Sequence, residues 1–260
     1  VRFRQGIYNM TSASNLFHTK PGKDETGSTL LPLYEAKMMH QFDHRWNTFT
    51  SPGTVESVTN TQKKDPAYTV TPQYWVSRAE TILRTTAIDD KVVSALRTTL
   101  FSAKGSSEYS ALQEACYKTN DPNVKKVFDS CSQAGTDADL VKMLYALAEE
   151  HAPKYLMGWR GITNATNERT VISTIVPLCG VGHSANLYYS TKGLCLDACL
   201  LANFNSIVLD YQARQKVGGV NLTQGYIKQF PVLPPSTYTS KDLSFIVPRV
   251  FALTYTAYDM

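Results

Sequence analysis

Between Ser77 and Glu150 the apolar residues recur at three- and four-residue spacings, whereas the stretches on either side carry strand-like alternation. Ile82, Val92, Leu96, Leu100, Leu112, Val124, Val127, Leu140, Leu144 and Leu147 keep the helical rhythm. Turn residues at Gly105, Asn120-Asp121-Pro122 and Gly135-Thr136 cut that run into short helices. Strands flanking a block of helices, rather than alternating with single helices, specify an α+β fold. The expected architecture is a mixed or antiparallel sheet with β-hairpins, a helical insertion and C-terminal helices. Residues 1–76 and 154–260 would form the sheet-bearing domain and 77–153 the insertion, whose mixed charges suit a structural spacer.

Within the flanks, residues 1–8 read as a strand and 9–29 as a polar loop. Leu33 to Phe49 is ambiguous: Tyr34, Met38, Phe42 and Trp46 recur every four residues, yet the segment also alternates. A polar loop containing Pro52, Gly53 and Pro66 follows, and Tyr68 to Val76 reads as extended because Pro72 opposes a helix. Tyr155–Thr163, Arg169–Val176 and His183–Ser190 have strand character, joined by short turns at 164–167 and 177–182, so two successive hairpins are expected. Leu194 to Gln215 reads as one mostly buried helix, Leu222 to Phe230 as a short one, and Leu243 to Tyr258 as the last.

A chain of 260 residues can bury a sizeable core, and a net charge of +4 permits nucleic-acid binding without requiring it. Five cysteines, an odd number with no Cys-x-x-Cys pair, suit a reducing cytoplasm better than a disulfide framework. The longest apolar run is interrupted by Asp197, Asn203, Asn205 and Asp210, which argues against a membrane span. Val1 opens in mid-pattern and the periodic segment ending at Met260 stops abruptly, so the chain is expected to be a piece of a longer polypeptide.

Candidate chemistry centres on recognition rather than catalysis. Arg160 stands at a hairpin tip with Asn164, Thr166, Asn167, Glu168 and Arg169 around its turn. Arginine suits guanine, asparagine adenine, and glutamate cytosine. Further along, Arg214 and Lys216 precede Gly218 and Gly219 at a helix end, with Asn221 and Lys228 beyond. The cations would neutralise phosphates and the glycines would let backbone N–H groups approach them. Lys37, His40 and Arg45 are further candidates for the DNA-binding set.

Competing chemistries have weaker footholds. Glu35-Ala36-Lys37, with Asp24 and Glu25 upstream, has the form of a metal-dependent nuclease site, a pattern common by chance. His40 and His44 have the spacing of a zinc pair but no evident third ligand. Gly180-Val181-Gly182 lacks the strand-then-helix setting of a cofactor loop, and Leu233-Pro234-Pro235-Ser236 has no acid or amide before its prolines. No catalytic residues and no bound metal are therefore expected.

Several separated blocks resemble the target recognition domain of an adenine-specific DNA methyltransferase of the type II restriction-modification kind. They are Phe3 to Phe17, Leu33 to Arg45, Pro72 to Val76, Arg160 to Val176 and Leu201 to Pro235, the last containing Asp210-Tyr211-Gln212-Ala213-Arg214-Gln215-Lys216-Val217-Gly218-Gly219 and Pro231-Val232-Leu233-Pro234-Pro235. Ala36 stands where the pattern has glycine. The resemblance implies sequence-specific binding of double-stranded DNA. It also implies a covalently linked methyltransferase domain before residue 1, using S-adenosylmethionine to methylate adenine at N6, in some cases fused to an endonuclease, in defence against foreign DNA. A different reading is a protein-interaction module that docks a restriction subunit.

Overall fold

A computed structural model describes residues 1–101 and 106–260; Gly105, expected to punctuate the helical run, lies outside the described residues. In chain order the strands β1 (Arg2–Arg4), β2 (Leu30–Tyr34), β3 (Asn47–Ser51) and β4 (Thr54–Ser57) precede a short helix α1 (Asn60–Lys64) and strand β5 (Trp75–Ser77). Helices α2 (Arg78–Thr85), α3 (Asp90–Phe101), α4 (Ser106–Lys118), α5 (Pro122–Ala134) and α6 (Asp137–Glu150) follow. The chain then returns to strands β6 (Tyr155–Arg160), β7 (Ser173–Pro177), β8 (Gly180–Val181) and β9 (Ala185–Tyr189). It ends with α7 (Leu194–Phe204), α8 (Ile207–Lys216), α9 (Gln224–Ile227) and α10 (Ser240–Thr254). The fold is α+β, and the chain divides into two compact units: residues 1–20, 32–75 and 154–260 form one, and 21–31 with 76–153 the other.

The second unit carries helices α2 to α6, packed through Ile82, Val92, Leu96, Leu112, Val124 and Leu144, all of them sealed from solvent. Its boundaries follow from capping. Asp121 accepts the backbone N–H groups of Asn123 and Val124 to start α5, and Thr136 caps α6. One buried carboxylate, Glu80, pairs through Oε1 with Arg84 and Arg97 at 2.7 and 2.6 Å, so its charge is not left alone in the interior, although Oε2 has no hydrogen-bond partner among the described residues.

In the first unit the principal sheet runs in the order β1-β9-β6-β7, antiparallel throughout. Alternation along β6 turns Met157 and Trp159 toward one face. There they meet Tyr188, Phe204 of α7, Leu209 and Ala213 of α8, and Leu222, Ile227 and Phe230. Each such fully buried large side chain is worth about 1.5–3 kcal/mol. The Trp159 indole N–H donates to the Leu222 carbonyl at 2.9 Å, so the segment after α8 is fixed to the sheet as well as packed on it. Leu33 and Tyr34 of β2 pair in parallel with Gly180 and Val181 of β8, and β3 pairs antiparallel with β4.

Four sequence expectations need correction. The stretch 194–215 is not one helix: it breaks at Asn205-Ser206 into α7 and α8, bent by 56°. The Ser206 hydroxyl caps α8 through the Leu209 N–H, while the Asn205 carboxamide both donates to and accepts from the Ser173 backbone. The second expected hairpin is also replaced, because β9 pairs with β6 and β1 rather than with β7. The supposed loop around Pro52-Gly53 is the turn of the β3–β4 hairpin, with Gly53 at φ 78°, a conformation that favours glycine. Finally, Leu33–Phe49 is neither helix nor strand throughout. A 3-10 turn over Ala36–Met38 leads into an irregular turn in which Phe42 adopts φ 60° and its N–H donates to the Ser173 carbonyl.

No single helix among the described residues is long and apolar enough to cross a membrane; α7 and α8 pass that test only as a bent pair.

Candidate functional site

Arg160 ends β6, and its backbone N–H donates to the Ile172 carbonyl at 2.9 Å. Because Trp159 faces the core, Arg160 projects from the opposite face of the sheet. Its guanidinium is half-buried, and the Nε is shut off from solvent with no hydrogen-bond partner among the described residues. Burial pulls its pKa below the ordinary arginine value, but a guanidinium stays cationic at neutral pH. No carboxylate among the described residues forms an ion pair with it. A desolvated cation without a counter-ion is costly in a free protein and becomes favourable once an anion or a base edge arrives.

His40 lies close enough to feel that charge. Burial and the Arg160 guanidinium, in that order, hold its pKa below the ordinary 6.5, with Asp43 and Glu168 opposing. The imidazole packs on Trp46 with ring centroids 4.3 Å apart, and Lys63 covers the same indole at 4.7 Å while bonding Asp43 at 2.5 Å. Gln41 connects this turn to the loop that follows β6 by donating to the Val171 carbonyl at 3.1 Å.

That loop, residues 161–172, is long for a hairpin connection and is held by side chains of α8. Asp210, buried, accepts the backbone N–H groups of Thr170 and Val171, each at 2.8 Å. Its other oxygen takes Arg214 Nε at 3.0 Å, an i,i+4 pair on one helix face. The Arg214 guanidinium then donates to the carbonyls of Ala165, Asn167 and Glu168. Thr163 Oγ1 donates to the Thr170 carbonyl at 2.6 Å, and Asn164 Oδ1 accepts from the Thr166 backbone at 3.0 Å. Asn164, Thr166 and Asn167 thereby stand exposed on a loop whose backbone is fixed.

Two expected DNA-binding residues have other tasks. Arg45 is 1% exposed, and its guanidinium donates to the carbonyls of Lys63, Asp65, Tyr68 and Thr256 at 2.7–2.9 Å. Nothing outside the protein can reach it. Arg214 holds the loop as described, so its donors point at protein carbonyls instead of phosphates.

The remaining candidates are distributed around the loop and its neighbours. Lys216 and Lys228 are exposed, the former with its Nζ 3.4 Å from the Gln229 carbonyl and the latter 5.9 Å from the Phe3 ring. Arg169 is half-buried. Gly218 and Gly219 are open: a Cβ at either would meet nothing within 4 Å, so neither glycine is demanded by the fold itself. Asn221 bridges Ile162 through its backbone, beside the loop. Lys37 is drawn aside by Glu35 at 3.4 Å and by the Phe49 ring at 4.6 Å.

The metal-site readings fare differently. His44 is buried with its Nε2 3.1 Å from Asp259, so it does not join His40 as a chelating pair. Among the described residues no three His, Cys, Asp or Glu side chains are grouped as metal ligands.

Sequence reasoning missed Asp210 and Gln41 as loop-holding residues. The four-residue spacing of Asp210 and Arg214 on a helix was the available signal for the first. No protein-family model, no curated protein and no solved structure matches the chain.

Proposed function

We propose that the unit comprising residues 1–20, 32–75 and 154–260 binds double-stranded DNA and selects its sequence, as the specificity region of an adenine-N6 methyltransferase of a restriction-modification system. The carrying observation is Arg160, a half-buried guanidinium with no ion-pair partner, set beside a clamped loop bearing Asn164, Thr166 and Asn167. Fixed loops lose less conformational entropy on binding, so side chains held this way discriminate between base edges. Lys216, Lys228 and Arg169 supply charge for phosphates. The open Gly218-Gly219 pair leaves room for a phosphate to approach the main chain.

In this reading catalysis, S-adenosylmethionine and the flipped adenine belong to a covalently linked methyltransferase domain, and the protein works in the cytoplasm. The direct test is binding to a randomised duplex pool followed by sequencing of the retained fraction. Enrichment of a motif supports the proposal, and uniform recovery with no dependence on salt rejects it.

A second reading, docking of a partner protein, draws on α10. Phe245, Phe251 and Leu253 stand exposed there, and Phe251 stacks on exposed Tyr255 with centroids 5.0 Å apart. Retention of a restriction subunit without DNA would favour it.

A further inference from the structure

Immediately past Arg160 the first unit opens into a cleft of about 630 Å³, within the size range of small-molecule sites. Its lining has a particular chemistry. Four primary carboxamides face it, those of Gln5, Asn186, Asn221 and Gln224, while no Asp, Glu, Lys or Arg contributes. None of the four makes a side-chain hydrogen bond with any described residue. Asn186 is the telling one. It is 8% exposed, sits on the central strand pair opposite Trp159, and lines the cleft. Its amide atoms are not sealed from solvent, so a molecule entering the cleft can reach them.

The surrounding chain keeps that amide accessible. Gly161 is required here, since a Cβ would come within 2.7 Å of Asn186 Nδ2 and 2.9 Å of the Ser184 carbonyl. His183 accepts the Met10 N–H on Nδ1 at 3.3 Å, which leaves its Nε2 to donate. Ile162, largely exposed, and buried Leu222 give the cleft apolar walls suited to the faces of a flat ring.

We infer that this cleft receives a single nucleobase, extruded from the helix or free as a nucleoside. A carboxamide offers an N–H donor beside a carbonyl acceptor, the complement of the adjacent donor and acceptor on a purine edge. A lining without Asp, Glu, Lys or Arg gives no advantage to phosphate or carboxylate ligands, so the phosphate belongs outside the cleft. The inference deepens the DNA-binding proposal by placing an unpaired base on this unit, separate from any base delivered to a methyltransferase domain.

Two variants test it. Gly225→Trp plugs the cleft from a position where a Cβ meets nothing nearer than 3.5 Å, so the fold should tolerate it. Asn186→Leu removes the unpaired amide. If Asn186 serves only the fold, its loss destabilises; if it awaits a ligand, stability is unchanged or rises while binding falls. The probes are adenosine, ribose alone, a fully paired duplex, and the same duplex with one unopposed 2-aminopurine.

The expected result is at least roughly tenfold tighter binding of the bulged duplex than of the paired one. Fluorescence of the extruded 2-aminopurine should change on binding, and both effects should disappear in Gly225→Trp and Asn186→Leu. Adenosine should bind and ribose should not. Equal affinity for the two duplexes, or a preference that survives the plug, overturns the inference even where salt-dependent binding of paired DNA persists. Adenosine binding abolished by the plug, with no affinity for either duplex, would keep the cleft as a nucleoside site and reject the DNA reading instead.

Discussion

Two turns of the first unit present arginines that the sequence makes look alike, and the contrast between them separates support from recognition. In the turn at 40–46, Arg45 is enclosed and its Nη1 and Nη2 donate to four backbone carbonyls drawn from two parts of the chain, residues 63–68 and Thr256. The Nε of each is sealed and unpartnered, but Arg160, at the tip of β6, makes no side-chain hydrogen bond or ion pair at all among the described residues, whereas Arg45 lacks a partner only at that nitrogen. Both guanidiniums have lost water, but only one has been given protein partners in exchange. Arg214 falls between them: partly exposed, yet committed to Asp210 and to the carbonyls of the loop. Exposure alone would not rank these three; the list of their acceptors does.

That contrast can be broken by substitution. Arg45→Ala leaves four carbonyls without their donor in a closed site, and unfolding in urea should show a loss of about 3–5 kcal/mol. Unchanged stability would remove its structural role. Asp210→Ala frees the Thr170 and Val171 amides and releases Arg214, for an expected loss of about 2–3 kcal/mol. Amide exchange in residues 163–171 should quicken in that variant more than exchange in the α2–α6 unit.

Arg160→Ala should behave in the opposite manner, leaving stability the same or improved. The choice between DNA sequences should fall by about 1–3 kcal/mol at the positions it reads. Lys216→Ala or Lys228→Ala should weaken all sequences alike and reduce the slope of log affinity against log salt by about 0.9. A sequence-dependent effect from either lysine would blur the distinction drawn here.

The smallest expected effect is a pH dependence at His40, whose pKa is depressed below 6.5 by burial and by Arg160. A histidine of this kind contributes stability above its unfolded pKa, and that contribution is lost as pH falls from about 6.5 toward the lower folded value. Removing Arg160 should raise the His40 pKa, and so should a bound phosphate. Both are measurable by following the imidazole resonances. A His40 titration that ignores both changes would show that the two side chains are not coupled.

The sequence carried some of these features more openly than others. The helical block was legible because its periodicity and its turn residues agree, and Asp121 and Thr136 cap helices as their types suggest. The bend between α7 and α8 was hidden because hydrophobicity runs on through it; only Ser206 as a helix cap marked the break. The β3–β4 hairpin escaped notice since its strands are mostly Thr, Ser and Glu, which resemble a loop by composition.

Within the site, Arg160 and the 164–169 turn stood out from residue type alone. The enclosure of Arg45 could not be read from sequence, because one of its acceptors, the Thr256 carbonyl, lies 211 residues away. The same holds for the carboxamide cleft, which gathers Gln5, Asn186, Asn221 and Gln224 from three distant stretches.

The most direct test of the central claim is to pass wild type and Arg160→Ala over the same randomised duplex pool at two salt concentrations. The account predicts a motif retained by the wild type that loses one or two defined base positions in the variant while non-specific affinity is nearly maintained. Identical base preferences in the two proteins, or a variant that unfolds as Arg45→Ala is expected to, would contradict it.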